Sequence, residues 1–353
     1  MLYCCFSLCF TLCYAQKKIL VYHETNGFRH GSIDSGISMF EDLGSQNGDW
    51  TTDNSQNSNV FTNANLAQYD AVVFLNTSGN DLLSASEQDA FENFISNGKG
   101  FIGIHAATDT YRDKSWPFYN ELVGAIIQTG PNHTANNFEA DLEVKVSNTI
   151  TEFLGPVGSI WTKQEEYYYW ELNGGQLSTD NTVLLEVEST GSNSYDAARP
   201  TTWIKESITY DDDNNSGTPD VTLSGIKSFY TALGHNSSDY SSNTNFRTLL
   251  KNATLWAIEN TLAIEDVFKN QNTINILTNP VKDKVRIHFS NLDAATSISV
   301  YNVLGTKVLN KTINTSTLNN NVYELQMNNY KSGVYIFAIS NKYTQKTFKI
   351  IKM

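Results

Sequence analysis

The chain has 353 residues, of which 40% are hydrophobic, 12% aromatic and 17% charged. That supplies apolar material for two unequal domains and too little charge for a disordered polyelectrolyte, so a single small module is excluded. Against 37 Asp and Glu stand 24 Lys and Arg, a formal net charge of -13 with no basic patch to offset it, which disfavours nucleic acid as a partner.

In chain order, all four cysteines (Cys4, Cys5, Cys9 and Cys13) fall in an apolar, uncharged opening stretch that gives way to Gln16, Lys17 and Lys18. Too short to span a bilayer, residues 1–16 read as a cleaved secretion signal, although the basic n-region is missing. A lipoprotein reading is opposed by Leu12 before Cys13, where a small residue is expected. Cleavage leaves no cysteine, which excludes disulfides, thiolate metal sites and cysteine nucleophiles. No other segment is long and apolar enough to serve as a transmembrane anchor.

Strand and helix then alternate. Residues 18–22 (KILVY), 70–75 (DAVVFL) and 101–104 (FIGI) are short unalternated apolar runs, the pattern of strands buried on both faces. Ile33, Ile37, Phe40 and Leu43 recur at helical spacing. Ser84 with Glu87 predicts a capping box ahead of the Phe91, Phe94, Ile95 stripe, which Gly98 closes. The implied class is α/β, a mostly parallel sheet with helices on both faces. From residue 138 the pattern is mixed, with strand-like pieces at 142–146, 183–187, 203–205 and 226–230 and a last helix at 246–259. We expect this domain to cover 17–262, a linker 263–273, and a small all-β sandwich 274–353, where Val285, Ile287 and Phe289 alternate, as do Tyr335 and Phe337.

The tail resembles the C-terminal sorting domain of type IX secretion substrates. It does so through Thr278-Asn279-Pro280, the run from Val300-Tyr301-Asn302 to Gly305, Ser332-Gly333-Val334-Tyr335 and a basic end. The resemblance implies an export address read by the type IX machinery, and a secreted or outer-surface protein that passes through the periplasm. The larger region resembles the ThuA-like family, named for trehalose utilisation. The matching residues are Gly27-Phe28-Arg29-His30, Asn76-Thr77-Ser78-Gly79, the run from Gly103-Ile104-His105 to Asp109, Glu165-Glu166-Tyr167, Arg199-Pro200 with Trp203, and the run from Phe229-Tyr230 to His235. That resemblance implies a flavodoxin-like, amidotransferase-like fold and a carbohydrate substrate or ligand, namely a disaccharide or a 3-keto-glycoside. The sequence departs from the family after Gly124, where a His-Pro pair is replaced by QTGPNHTA with His133 as the only histidine.

Ligands of parallel sheets bind beyond the carboxyl ends of the strands, and the conspicuous polar residues follow strands here. As catalytic residues we expect His105, His235 and Glu166. His105 stands where an amidotransferase would hold its cysteine, so a cysteine-dependent glutaminase is excluded while acid/base work or metal ligation stays open. Isomerisation, lysis or hydrolysis of a sugar is the expected chemistry; a non-catalytic sugar-binding surface protein is the alternative. Substrate-binding candidates are His23, Arg29, His30, Thr77, Gly79, Asp109, Glu165, Tyr167 and Trp203. Because neighbours on a strand point to opposite faces, at most one of Glu165 and Glu166 faces a given site. Residues 98–103 spell GxGxxG but lead from a helix into a strand, the reverse of a dinucleotide cradle. A divalent site from His30, His105, His133 and His235 lacks any preorganising spacing. Asp211, Asp213, Asn215 and Asp220 offer alternate oxygens suited to calcium, in a loop that lacks the closing glutamate of an EF-hand.

Overall fold

Alternation along the first strand already defines two cores. In the computed structural model, which describes residues 16–172, 180–211, 221–259, 274–289, 296–318, 322–340 and 345–353, the first unit runs β1 (Lys17–Tyr22), α1 (Ile33–Asn47), β2 (Trp50–Ser55), α2 (Asn63–Leu66), β3 (Ala71–Leu75), α3 (Ala85–Ser96), β4 (Gly100–Ile104), α4 (Pro117–Val123), β5 (Phe138–Val144), β6 (Ile160–Glu165), β7 (Thr182–Val187), β8 (Arg199–Tyr210), β9 (Val221–Thr231), α5 (Ser237–Ser241) and α6 (Thr244–Ile258). Ile19 and Val21 of β1 pack with Met39, Phe40 and Leu43 of α1 and with Phe246, Leu249 and Leu250 of α6. Leu20 and Tyr22 face the other way, into a core built with Phe91, Phe94 and Ile95 of α3 and Phe118 and Leu122 of α4. A strand buried on both faces has no polar side to show, which is why β1, β3 and β4 read as continuous apolar runs.

The sheet has nine strands in the order β2-β1-β3-β4-β9-β8-β7-β5-β6. The first five are parallel neighbours, in the 2-1-3-4 arrangement of flavodoxin-like folds. The pieces after residue 138 extend this parallel core with antiparallel pairing from β9 outward. Three reversals between β8 and β6 leave β6 running in the same sense as β1, so its carboxyl end points to the same rim as those of the parallel strands. At α3, both halves of the Ser84–Glu87 capping box are formed, a feature worth about 1 kcal/mol. The 98–103 glycines link the end of α3 to β4 and so present no helix N-terminus to a phosphate.

A second compact unit covers 263–353. Its strands are β10 (Ile274–Ile276), β11 (Lys284–Phe289), β12 (Thr296–Asn302), β13 (Lys307–Ile313), β14 (Val322–Gln326), β15 (Gly333–Ser340) and β16 (Gln345–Lys352). They form antiparallel sheets in the orders β10-β11-β14 and β13-β12-β15-β16. The alternating Val285, Ile287 and Phe289 of one sheet share a core with Ile298, Val300, Phe337 and Ile339 of the other. The expected linker, and the secretion signal up to residue 15, lie outside the described residues.

Candidate functional site

Four segments bring their polar ends to one rim. His30 closes the loop after β1. His105 is the first residue past β4 and takes a left-handed φ of 48°, an unfavourable conformation for a residue with a Cβ that turns the chain from strand into a 3-10 turn and aims the ring inward. His235 follows β9, and Glu166 follows β6. Beyond Glu166 the chain crosses back over the rim, Tyr168 bridging to His133 and Trp170 to Ile127.

The side chains converge closely. One nitrogen from each of His30, His105 and His235 and one oxygen of Glu166 all lie within 4.8 Å of one another. Glu166 Oε2 is 3.3 Å from His105 Nε2, 3.2 Å from His235 Nδ1 and 4.0 Å from His30 Nε2, and His105 Nε2 is 3.2 Å from His30 Nε2. On the more exposed side, His133 Nδ1 stands 3.3 Å from Glu166 Oε1. The His105 Nδ1–H donates to the Ala232 carbonyl at 2.7 Å, so its Nε2 carries the lone pair. Tyr168 donates to that nitrogen at 2.9 Å, since burial and the Glu166 charge hold the phenol well above its ordinary pKa. Burial lowers His30 to about 4 and keeps it neutral. Glu166 would be raised by burial, but bonds from the imidazoles hold it far below the carboxylate range. That carboxylate in turn raises His235.

This donor set fits a divalent ion. Tetrahedral ligands about 2.1 Å from zinc stand roughly 3.4 Å apart, close to the separations above. Three imidazoles and a carboxylate are ordinary zinc partners, and the His105–Ala232 bond is the outer contact that orients a ligating imidazole. His235 Nδ1 is buried with the Glu166 carboxylate 3.2 Å away as its close partner, so a cation taking the place of the proton between them would meet a nitrogen and an oxygen already aimed at one point.

Glu165 goes the other way. It is fully buried, and its Oε2 accepts from Lys163 Nζ at 2.6 Å and from the Gly234 amide at 2.9 Å. Its Oε1 accepts from the amides of His235 at 3.2 Å and Glu166 at 3.0 Å. Lys163 also pairs with Asp239 at 2.8 Å. Burial would raise Glu165, but the ammonium beside it outweighs that and holds it low. Glu165 therefore clamps the backbone that carries His235 and Glu166, in place of the expected contact with substrate.

The other expected residues scatter. Tyr167 lies in the core and donates to the Lys163 carbonyl. Trp203 is buried on the opposite face, its indole donating to the Val123 carbonyl. Thr77 is buried against Thr110. Gly79 has φ +92 and lies so close to the 26–27 backbone that a Cβ would stand 2.6 Å from the Gly27 nitrogen. Asp109, raised by burial, pairs with Arg112 at 2.8 Å. His23 is buried and lowered by that burial, and exposed Arg29 donates to its carbonyl. None of these belongs to the four-residue cluster. Asp213, Asn215 and Asp220 lie outside the described residues, and Asp211 sits just past β8. Sequence reading missed Tyr168 and placed His133 where Glu166 completes the set; the period of two from Glu166 could have found Tyr168.

Comparison with known proteins agrees with the architecture. A family model described as trehalose utilisation, ThuA, matches residues 18–257, and one described as a secretion system C-terminal sorting domain matches residues 275–353. A crystal structure of a ThuA-like protein from Bacteroides uniformis is 20% identical, covers 69% of this chain and 93% of its own, and superposes with a TM-score of 0.50, a likeness of fold. Another, from Parabacteroides merdae, is 17% identical over 72% of this chain and 94% of its own, with a TM-score of 0.48. No curated protein matches the sequence.

Proposed function

The chain belongs to the ThuA family, carries a secretion sorting domain that directs it to the cell surface or beyond, and from that premise we propose that it is a metal-dependent enzyme acting on a disaccharide or 3-keto-glycoside. The observation that carries this reading is the convergence of His30, His105, His235 and Glu166 within 4.8 Å. The four would hold one divalent ion, zinc being the best match, and a sugar oxygen or carbonyl that joined them as a further ligand would be polarised by it.

The surrounding residues supply proton transfer. His105 has no exposed surface, so it suits ligation better than exchange of protons with substrate. His133 is partly exposed, and its Nδ1–H donates to the Thr134 carbonyl at 2.6 Å. That leaves Nε2 as the base for a proton beside a substrate carbonyl. With the ion on His105 Nε2, the Tyr168 hydroxyl, kept protonated by burial, would lose that acceptor and be free to give its proton to the departing or carbonyl oxygen. Glu165, Lys163 and Asp239 fix the loop that presents His235.

The reading is tested by incubating metal-free protein with trehalose, its 3-keto derivative and a set of other disaccharides, with and without zinc, and following product mass. Zinc-dependent conversion of one sugar, abolished in His105→Ala, is expected. Ligand returned intact under every condition would make the protein a binder and overturn the enzymatic reading.

A further inference from the structure

The loop after β1 carries an apolar side chain with no structural reason to be in water. Phe28 is 67% exposed and is the only exposed aromatic ring among the described residues. An aromatic ring left in solvent forgoes the gain of burial. Here the loop around it is also held firmly. The amides of Asn26 and Gly27 donate to the Ser78 carbonyl at 2.9 and 3.1 Å, the Ser78 hydroxyl donates to the Phe28 carbonyl at 2.7 Å, and the Asn26 side chain donates to the Asn80 carbonyl at 2.9 Å. The ring is presented, not frayed.

It is presented at the cluster. The Phe28 ring meets His30 edge to face with centroids 4.9 Å apart, and His30 meets His235 at 5.4 Å. Beyond His235 the surface is rich in amides. Asn136 lies 3.5 Å from His235 Nε2, and the Asn236 and Asn137 side chains bond to each other at 2.7 Å. A polar cavity reached at Asn236, the residue after His235, is lined by Asn137, Gln164 and Asn243 together with Lys163 and Asp239. An aromatic face on one side of a reaction centre and hydrogen-bonding amides on the other match the two surfaces of a pyranose, whose C–H face stacks on rings and whose hydroxyls bond to amides.

We propose that Phe28 is the stacking platform for a sugar ring held at the mouth of the His30–His105–His235–Glu166 centre, with Asn136, Asn137 and Asn236 receiving its hydroxyls. This names the binding subsite of the carbohydrate reading above and rests on it.

The test titrates zinc-loaded full-length wild type, Phe28→Ala and Phe28→Tyr with trehalose, 3-keto-trehalose, cellobiose and maltose by calorimetry, and measures bound zinc separately. We expect one disaccharide to bind the wild type, Phe28→Ala to weaken it about tenfold, equivalent to ~1.4 kcal/mol, and Phe28→Tyr to stay within about threefold, all with equal zinc content. Unchanged affinity in Phe28→Ala overturns the platform, as does wild type that binds none of the four sugars. The zinc measurement judges the cluster independently of either result.

Discussion

Glu165 and Glu166 are neighbours in sequence and opposites in surroundings. Glu165 faces inward, where an ammonium and three backbone amides satisfy both its oxygens. Glu166 faces the rim, where imidazoles crowd it and no lysine or arginine forms an ion pair with it among the described residues. Strand parity sends the two carboxylates apart, and the chemistry of each follows from what it meets. A carboxylate with matched donors holds structure, while one gathered with imidazoles around a common point has the company a bound cation would need.

Substitutions can break or sharpen that contrast. The largest effect is expected at Lys163→Met, which strands Glu165 and Asp239 as buried charges. Denaturant unfolding is expected to show a loss of about 3–5 kcal/mol, and a loss below about 1 kcal/mol would mean that the inner carboxylate is not structural. Glu166→Gln is expected to keep stability within about 1 kcal/mol, yet to weaken zinc at least about 100-fold in competition with a chelator, beyond the ~10–100-fold typical of an outer-shell partner. Tyr168→Phe is expected to retain zinc and slow turnover about 100-fold, the lower range for a lost proton donor; equal turnover would remove Tyr168 from the chemistry. The smallest effect belongs to Ser84→Ala, remote from both carboxylates, with about 1 kcal/mol lost from the α3 cap and zinc binding unaltered.

Local pattern carried the parallel half of the fold and pointed to the rim where the candidate cluster stands. The apolar runs at β1, β3 and β4, the Ser84–Glu87 cap and the histidines past strand ends are all periodic or positional signals. β2 escaped because WTTDNS at the sheet edge has one buried residue in six, so no hydrophobic pattern marks it. The composition of the cluster escaped for a different reason. Its side chains follow four strands far apart in the chain, and no spacing rule links Glu166 to His30. Tyr167 and Trp203 misled because an aromatic beside polar residues reads alike whether it lines a site or a core, and only their hydrogen bonds to the Lys163 and Val123 carbonyls separate the cases. Phe28 left no trace in periodicity, since exposure is a property of the folded surface.

The most direct measurement is the metal content of purified protein after zinc loading and exhaustive dialysis, for wild type, Glu166→Gln and His105→Ala. One zinc per wild-type chain, absent from both variants, is the predicted result. Zinc-free wild type, or equal zinc in all three, would contradict the assignment of His30, His105, His235 and Glu166 as a metal centre.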